Sequence, residues 1–174
     1  MKLQTGDIFA VKGKGFFAFL NRKLIKPYTD RFHFGLLGDY IPEEDDWVIL
    51  ESINKGVAVG RLSFYDLNDV EFYRINDVDS AEKGTYATIQ ATLWGREKYD
   101  YRLFIKLIYY ALKALIKYHS IWYTDIPNIE DKRLICTELV DEAYRFVFPV
   151  FDARYEATPS HFKERVREGY IIKL

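Results

Sequence analysis

The chain has 174 residues, enough for a single hydrophobic core, and we expect one domain over residues 1–174. Hydrophobic residues make up 49% and charged residues 29%, which is typical of a globular protein and argues against a disordered chain. The net charge of −1 gives no reason to expect nucleic acid or an anionic membrane surface as a partner. Because one cysteine cannot form an internal disulfide, the fold does not depend on an oxidising compartment.

Two segments bear on export and membrane insertion. Residues 1–7 lack the apolar core of a secretory signal, which favours the cytoplasm. The most apolar stretch, 103–123, contains Lys106, Lys113 and Lys117, and central lysines are costly in lipid. We therefore expect a buried amphipathic helix there and no membrane span.

The first half of the chain has the pattern of β-strands. Short runs of aliphatic and aromatic residues alternate with turn-forming segments. The predicted strands are 8–11, 32–37, 47–53, 57–62 and 70–75. The turn at 54–56 joins two of them closely, which predicts an antiparallel hairpin. Between the first two strands, 16–25 has the apolar spacing of a short helix.

The second half of the chain has the pattern of helices. Ser80 is the predicted N-cap of a helix that runs to about Trp94, where Gly95 ends it. Further helices are predicted over 101–119, from Cys136 to before Pro149, and at 158–162, with a last strand over 170–174. Strands followed by helices indicate an α+β fold rather than alternating βαβ units.

Cys136 is the single cysteine and a candidate nucleophile. Helical spacing places it on one face with Leu139, Val140, Ala143 and Phe146. The first turn of a helix offers unpaired N–H groups and partial positive charge, which favour a thiolate and can hold an oxyanion. Alternatively, Cys136 is a small buried hydrophobe, the commoner role of a lone cysteine.

His33 and Glu51 lie on neighbouring predicted strands and could complete a thiol site. Strand alternation puts His33 on one face with Gly35 and Leu37, and Gly35 would leave open space beside the imidazole. Both faces around Glu51 are apolar, so its buried carboxylate would need a partner such as an imidazolium. Alternatively, His33 is a half-buried histidine bonded to a carbonyl, and Glu51 faces water at a sheet edge.

Cys136, His33 and Glu51 together supply the nucleophile, base and orienting group that thiol chemistry requires. The other two histidines fit this role less well. His119 ends a predicted helix, and His161 lies at a predicted helix start on the surface. One cysteine with no paired histidine spacing disfavours a zinc site.

Several segments together resemble the YiiX-like branch of the NlpC-type superfamily of papain-like cysteine hydrolases. They are Thr5-Gly6-Asp7-Ile8, Phe32-His33-Phe34-Gly35-Leu36, Leu50-Glu51-Ser52 with Gly56-Val57, and Ile135-Cys136-Thr137-Glu138-Leu139-Val140. Tyr99-Asp100-Tyr101 and Thr158-Pro159-Ser160 also fall where such proteins carry similar residues. The chain departs from the family at Thr137, where Ser is frequent, and at Arg31-Phe32, where Ser or Tyr often precedes the histidine, which would change the pocket wall.

The resemblance implies an α+β, circularly permuted papain-like fold in which an antiparallel sheet packs against helices. Cys136 matches the nucleophile, His33 the base and Glu51 the third member, and Tyr99 is placed in the substrate pocket. The chemistry needs no metal or organic cofactor, and its substrate would be a small peptide, amide or acyl compound.

The implied activity is hydrolysis of an amide bond through an acyl-thioester, as in a peptidase or amidase acting on cell-wall-type peptides. A first alternative is an acyl-chain ester hydrolase or an acyltransferase of the lecithin–retinol acyltransferase type. The apolar residues 16–20 could line its groove, although a core role suits them equally. A second alternative is a non-catalytic lipid or peptide binding module.

Overall fold

The computed structural model describes residues 2–14, 25–26, 29–53, 56–94, 109, 116, 121–122, 136–151 and 157–174. These residues form a six-stranded antiparallel sheet, a two-stranded parallel pair and three α-helices. The strands are β1 (Ile8–Lys12), β2 (Ile25–Lys26), β3 (Arg31–Ile41), β4 (Asp46–Ile53), β5 (Gly56–Arg61), β6 (Val70–Ile75), β7 (Ile121–Trp122) and β8 (Ile171–Lys173). The helices are α1 (Ser80–Leu93), α2 (Cys136–Tyr144) and α3 (Pro159–Arg167), and two 3₁₀ turns cover Leu62–Phe64 and Leu67–Asp69.

The six-stranded sheet has the strand order β5-β4-β3-β1-β6-β8, and its neighbouring strands are antiparallel. β3 carries His33 and β4 carries Glu51, and these two strands lie next to each other inside the sheet. Gly35 of β3 pairs with Phe9 on one side and with Glu51 on the other. These three residues therefore form one cross-strand row and share a face of the sheet.

Alternation along the central strands produces a core on each face of the sheet. On the first face, Phe34, Leu36 and Leu50 pack with Ala87 of α1 and Leu139 of α2. On the second face, Phe9, Leu37 and Ile49 pack against the 3₁₀ turn at Leu62. We call these the helix face and the turn face. Because both faces are covered, a polar side chain on either one must find partners within the protein.

Buried polar contacts fix the turn that precedes β1. The Asp7 carboxylate accepts hydrogen bonds from Arg74 Nε at 2.6 Å, from Arg74 Nη2 at 2.7 Å and from the Gln4 N–H at 2.9 Å. The Tyr144 hydroxyl donates to the Gly6 carbonyl at 2.6 Å. These contacts join the turn to β6 and to the end of α2, on opposite sides of β1.

The structure confirms the five predicted strands of the first half and the antiparallel β4–β5 hairpin, with end residues that differ by a few positions. The predicted last strand is present as β8. The predicted start of α3 is also present, because the Thr158 hydroxyl accepts the His161 N–H and Pro159 occupies the first turn. Local patterns were sufficient for all of these elements.

Two details of the predicted helices are wrong. Ser80 is the first residue of α1 rather than its N-cap, which is Asp79. Phe146 is not on the buried face of α2, because the helix ends at Tyr144 and 76% of the Phe146 surface is exposed. Both errors concern helix ends, where spacing is a weak guide.

Two predicted helices fall mainly outside the described residues. Of the predicted helix over 16–25, only Ile25 is described, and it belongs to β2 instead. Of the predicted helix over 101–119, Tyr109 and Ile116 are described and both are helical. No helix within the described part of the chain combines the length and apolarity needed to cross a membrane.

Candidate active site

Glu51 is buried in the middle of the sheet. It lies on the turn face of β4, between β5 and β3, and 7% of its surface is exposed. This position rules out the alternative that Glu51 faces water at a sheet edge. A carboxylate this deeply buried needs hydrogen-bond donors, and two side chains provide them. Glu51 Oε2 contacts His33 Nε2 and accepts a hydrogen bond from the Tyr65 hydroxyl at 2.5 Å.

His33 reaches Glu51 diagonally, because Gly35 is the residue directly opposite Glu51. The imidazole packs edge-on against the Phe9 ring and lies beside the Tyr65 ring, with centroid distances of 6.2 and 5.9 Å. Since Nε2 is at Glu51, Nδ1 is the ring nitrogen left to interact with Cys136, which raises the pKa of the imidazole. The His33 side chain is 27% exposed, so solvent or a ligand can reach this group.

A β-bulge at Phe32 shapes the start of β3. Val11 pairs with His33 while Lys12 pairs with Arg31, so Phe32 is an extra residue opposite β1. The Phe32 carbonyl accepts a hydrogen bond from the Cys136 thiol, with a distance of 3.4 Å from Sγ to O. The bulge therefore places a backbone acceptor beside the thiol, one residue before His33.

Cys136 belongs to the helix-face core and also contacts the backbone of β3 beside His33. Its side chain is 7% exposed and clusters with Phe34 and Leu139. The next residue, Thr137, donates its hydroxyl to the Ala157 carbonyl at 2.6 Å and fixes α2 to the segment before α3. Residues 123–135 lie outside the described part of the chain. The placement of Cys136 in the first turn of the helix and its N–H as an oxyanion donor therefore stay predictions.

The electrostatics of the site keep His33 charged. Burial lowers the pKa of His33, but the polar and electrostatic interactions of the ring with Cys136 and Glu51 outweigh it and raise the pKa to about 10. Burial raises the pKa of Glu51, yet hydrogen bonds from His33 and Tyr65 bring it below its ordinary value of 4.5. At neutral pH the imidazolium therefore lies between two groups that stabilise its positive charge.

Tyr65 is a site residue that the sequence analysis missed. It follows the 3₁₀ turn Leu62–Phe64, and its ring also packs against Phe9, with centroids 5.8 Å apart. Burial and the hydrogen bond to Glu51 raise the pKa of Tyr65 above its ordinary value, so the hydroxyl remains a donor. The spacing of residues in the sequence does not predict this contact, because it forms only when the 3₁₀ turn brings Tyr65 back over β4.

The role expected for Gly35 needs correction. We expected Gly35 to leave open space beside the imidazole. Instead, the Phe9 ring fills that space, since a Cβ on Gly35 would lie 2.5 Å from Phe9 Cε1 and 2.5 Å from the Leu50 carbonyl oxygen. Glycine is required here for close packing within the row that carries Glu51.

The remaining candidate residues are not brought to this site by the described structure. Tyr99, predicted in the substrate pocket, and His119 lie outside the described residues. His161 lies in the first turn of α3, with Nδ1 3.3 Å from the Thr158 hydroxyl. It takes part in the helix cap and not in the contacts described above for Cys136, His33 and Glu51.

A cavity of about 430 Å³ opens beside the same end of β3. Aromatic, cationic and anionic side chains all line it. Its residues include Arg31, Phe34, Glu71, Tyr73, Phe162 and Lys173. Arg31, one of the residues at which the chain departs from the family, lines this cavity.

Comparison with known proteins supports a fold relationship. No family model matches the chain, and no curated protein matches its sequence. The fold is similar to that in the crystal structure of the metalloprotein yiiX from Escherichia coli O157:H7, with a TM-score of 0.55 at 16% sequence identity. The match covers 96% of this chain and 82% of that chain. The described mixed α+β arrangement, an antiparallel sheet with three helices, is thus YiiX-like in fold.

Proposed function

We propose that this chain is a cysteine-dependent hydrolase of amide bonds, such as a peptidase or amidase, with a circularly permuted papain-like domain. The observation that carries the proposal is that His33 contacts Glu51, while the Cys136 thiol donates to the carbonyl of Phe32, the residue next to His33, so close that Cys136 raises the pKa of the imidazole. A nucleophile beside a base, and a carboxylate on the other side of that base, form the arrangement that thiol acyl transfer requires. The fold similarity to YiiX agrees with the family resemblance of the sequence but does not by itself choose a reaction.

In the proposed first half-reaction, the proton of the Cys136 thiol resides on His33, and the thiolate sulfur attacks the substrate carbonyl carbon. The carbonyl π electrons move to oxygen, and a tetrahedral intermediate forms. His33 then donates its proton to the leaving nitrogen as the C–N bond breaks. The amine departs, and the acyl group remains on Sγ as a thioester.

In the second half-reaction, neutral His33 removes a proton from water while the water oxygen attacks the thioester carbonyl. The C–S bond breaks, the acid leaves, and Cys136 returns as a thiolate beside a protonated His33. Glu51 holds the ring through Nε2 in both steps and stabilises the imidazolium. Tyr65 holds Glu51 in turn, which makes Tyr65 a positioning residue in this proposal.

The cavity beside β3 favours a polar amide substrate over a long acyl chain. An acyl chain would need an elongated apolar channel to the thiol, whereas this cavity is lined by charged as well as aromatic side chains. Residues 16–20, the expected wall of an acyl groove, lie outside the described residues. The contacts of His33 with both partners also argue against a binding module, because binding alone does not require them.

The described residues do not fit a metal centre. The yiiX neighbour is described as a metalloprotein. In the described ranges of this chain, however, no group of three or more His, Cys, Asp or Glu side chains could hold a metal ion. Glu51 Oε2 and His33 Nε2 are directed at each other instead. The proposed reaction uses the side chains of Cys136, His33 and Glu51.

The test is the rate at which a thiol-reactive acyl probe labels Cys136, followed by intact mass. Because the chain has one cysteine, every label reports this residue. We expect the native protein to react roughly 10²-fold faster than the same protein unfolded in urea, which is the lower end of general-base contributions. His33→Ala should lose most of this advantage, Glu51→Gln should lose part of it, and Cys136→Ala should not be labelled.

His161→Ala is the matched control, since it removes an imidazole outside the site and should leave labelling unchanged. The proposal fails if Cys136 reacts no faster in the native protein than in the unfolded one and His33→Ala has no effect.

A further inference from the structure

Phe32 lies outside the regular ladder of the sheet, although its carbonyl accepts the hydrogen bond of the Cys136 thiol. β1 skips Phe32 at the bulge, and the described pairs of β3 with β4 begin further along the strand, at Gly35. Among the described residues, neither neighbouring strand therefore pairs with Phe32. The position of its carbonyl must be set by contacts made on the two sides of the bulge.

On one side of the bulge, three hydrogen bonds hold Arg31. Its backbone N–H donates to Thr29 Oγ1 at 3.1 Å, and its Nη1 donates to the Asp69 carbonyl at 3.3 Å. Nη2 is paired with Glu71 Oε1 at 2.7 Å. The Arg31 side chain is only 14% exposed, so water and salt screen these contacts less than they screen surface ion pairs.

The Arg31 side chain is fixed to a strand that is not its neighbour. β1 lies between β3 and β6, so the side chain crosses β1. Val11, the last residue of β1 before the bulge, pairs with His33 on one side and with Val70 on the other. The two acceptors of the guanidinium are the residues directly before and after Val70. Arg31 is thus bonded on both sides of the row that contains His33.

The carboxylate that holds Arg31 is itself held firmly. Glu71 Oε1 also pairs with Lys173 Nζ of β8 at 2.6 Å, and Oε2 accepts the Tyr73 hydroxyl at 2.6 Å. Hydrogen bonds from Arg31, Lys173 and Tyr73 hold the pKa of Glu71 well below its ordinary range. The partner of the guanidinium therefore stays charged at neutral pH and is fixed by β6 and β8.

The contacts of Arg31 require an arginine. Two of its nitrogens donate to acceptors on two different residues, a backbone carbonyl and a carboxylate. A planar guanidinium can hold both at once, whereas the ammonium of a lysine is a single centre. Arg31-Phe32 is also where the sequence departs from the family that it resembles. The resemblance therefore does not imply this arrangement.

We propose that Arg31 is a positioning residue for the candidate active site. Its guanidinium, bonded across β1 to Glu71 and to the Asp69 carbonyl, holds the bulge that places the Phe32 carbonyl at the thiol and His33 in the next position. The part of Arg31 in catalysis rests on the proposed function. Its effect on the geometry of the bulge does not, and the titration of His33 tests it separately.

The main variant is Arg31→Met, which keeps an unbranched apolar side chain and removes the guanidinium. We expect labelling of Cys136 to become roughly threefold to tenfold slower, the range that corresponds to the loss of one net hydrogen bond. Imidazole nitrogen chemical shifts should place the His33 transition at lower pH, because the ring loses part of its interaction with Cys136. Arg31→Lys should recover part of both, since its ammonium can still pair with Glu71.

Lys173→Met is the matched control. Lys173 and Arg31 contact the same Glu71 oxygen, but Lys173 does so from β8, away from the bulge. Its side chain is exposed, so the fold should tolerate the replacement. We expect Lys173→Met to leave the labelling rate and the His33 transition unchanged. Urea titration of all three variants measures their stability, so that a loss of stability can be told apart from a loss of positioning.

The proposal is overturned if Arg31→Met lowers stability but changes neither the labelling rate nor the His33 transition. Arg31 would then be only a structural ion pair. Equal effects of Lys173→Met would also overturn it, because they would come from Glu71 and not from the bulge. If Arg31→Met does not fold, the same two readouts in Arg31→Lys decide. A native protein without accelerated labelling would reject the hydrolase, whereas a shifted His33 transition in Arg31→Met would still support the positioning role.

Discussion

His33 is the residue on which the charges of the candidate site depend. Its pKa is raised from 6.5 to about 10 by hydrogen bonds and charges that outweigh the effect of burial. A raised pKa in the folded state means that the protonated ring stabilises the fold. This contribution is fully present below pH 6.5 and is lost as the pH rises through about 10.

The titration of His33 is therefore a direct prediction. Imidazole nitrogen chemical shifts should show His33 protonated at neutral pH, with its transition near pH 10. Cys136→Ala removes the largest of the contacts that raise the pKa, so we expect the transition to move to lower pH. The His33→Gln spectrum assigns the signal. An unchanged transition in Cys136→Ala would show that the two side chains do not interact.

Tyr65 donates a hydrogen bond to the same Glu51 oxygen that contacts His33. Tyr65→Phe removes this donor and should raise the pKa of Glu51, which weakens its hold on the imidazolium. We expect a threefold to tenfold slower labelling of Cys136, about 1 kcal/mol, as for a partly exposed hydrogen bond to a charged group. The acid limb of the pH–rate profile should also move to higher pH, which a merely structural role would not cause.

Tyr40→Phe is the matched control for Tyr65→Phe. Tyr40 also donates its hydroxyl to a carboxylate, that of Asp45, but at an exposed turn between β3 and β4. Its replacement should change neither the labelling rate nor the pH profile. If the two variants behave alike, Tyr65 does not position Glu51.

At the scale of the elements, strand alternation made part of the site predictable. A period of two is a local property, so the sequence alone was sufficient to place His33 with Gly35 and Glu51 between apolar neighbours. The bulge at Phe32 and the return of Tyr65 over β4 depend on contacts between distant segments. Neither the thiol's backbone acceptor nor the second donor to Glu51 could therefore be predicted from the sequence.

α2 carries a buried carboxylate, Asp141, in the element that also holds Cys136. Burial and the nearby charge of Glu142 raise the pKa of Asp141 to about 6, while the Phe151 N–H and the charges of Arg145 and Arg165 oppose this. Because the folded-state pKa is raised, the charged form of this acid opposes folding. The cost appears as the pH rises from 3.8 to about 6 and amounts to about 3 kcal/mol above that range.

Asp141→Asn should therefore stabilise the protein at neutral pH. The amide oxygen can still accept the Phe151 N–H, and the buried charge is gone. We expect a free energy of unfolding about 2 kcal/mol higher in urea titrations at neutral pH, with the gain shrinking as the pH falls toward 4. Glu164→Gln is the control, since it breaks an exposed ion pair with Arg167 and should give no gain. A variant less stable than the native protein at neutral pH would contradict this account.

At the scale of the whole molecule, the order of elements along the chain was enough to predict the α+β class, and the resemblance of its motifs to the YiiX-like branch predicted the YiiX-like fold. The cavity could not be predicted, because α3 and β8 come from the end of the chain and close over strands from its first half. The residues that line the cavity lie far apart in the sequence, so the sequence alone does not bring them together.

The turn before β1 shows how the ends of the sheet are held together. Asp7 is 1% exposed and forms a two-point ion pair with Arg74 of β6. Asp7→Ala would leave the guanidinium without its carboxylate in a largely buried position. We expect the free energy of unfolding to fall by about 3–5 kcal/mol, the usual effect of removing one partner of a buried ion pair.

The double variant Asp7→Ala/Arg74→Met separates the pair from the packing of the turn. It removes both charges, so its loss should be smaller than the sum of the two single losses, as urea titration can show. Glu44→Ala is the matched control, because it breaks the exposed pair with Arg61 and should change stability by less than about 1 kcal/mol. If Asp7→Ala costs no more than Glu44→Ala, the pair does not anchor the turn. β1 would then need another contact to hold its register with β3, the strand that carries His33.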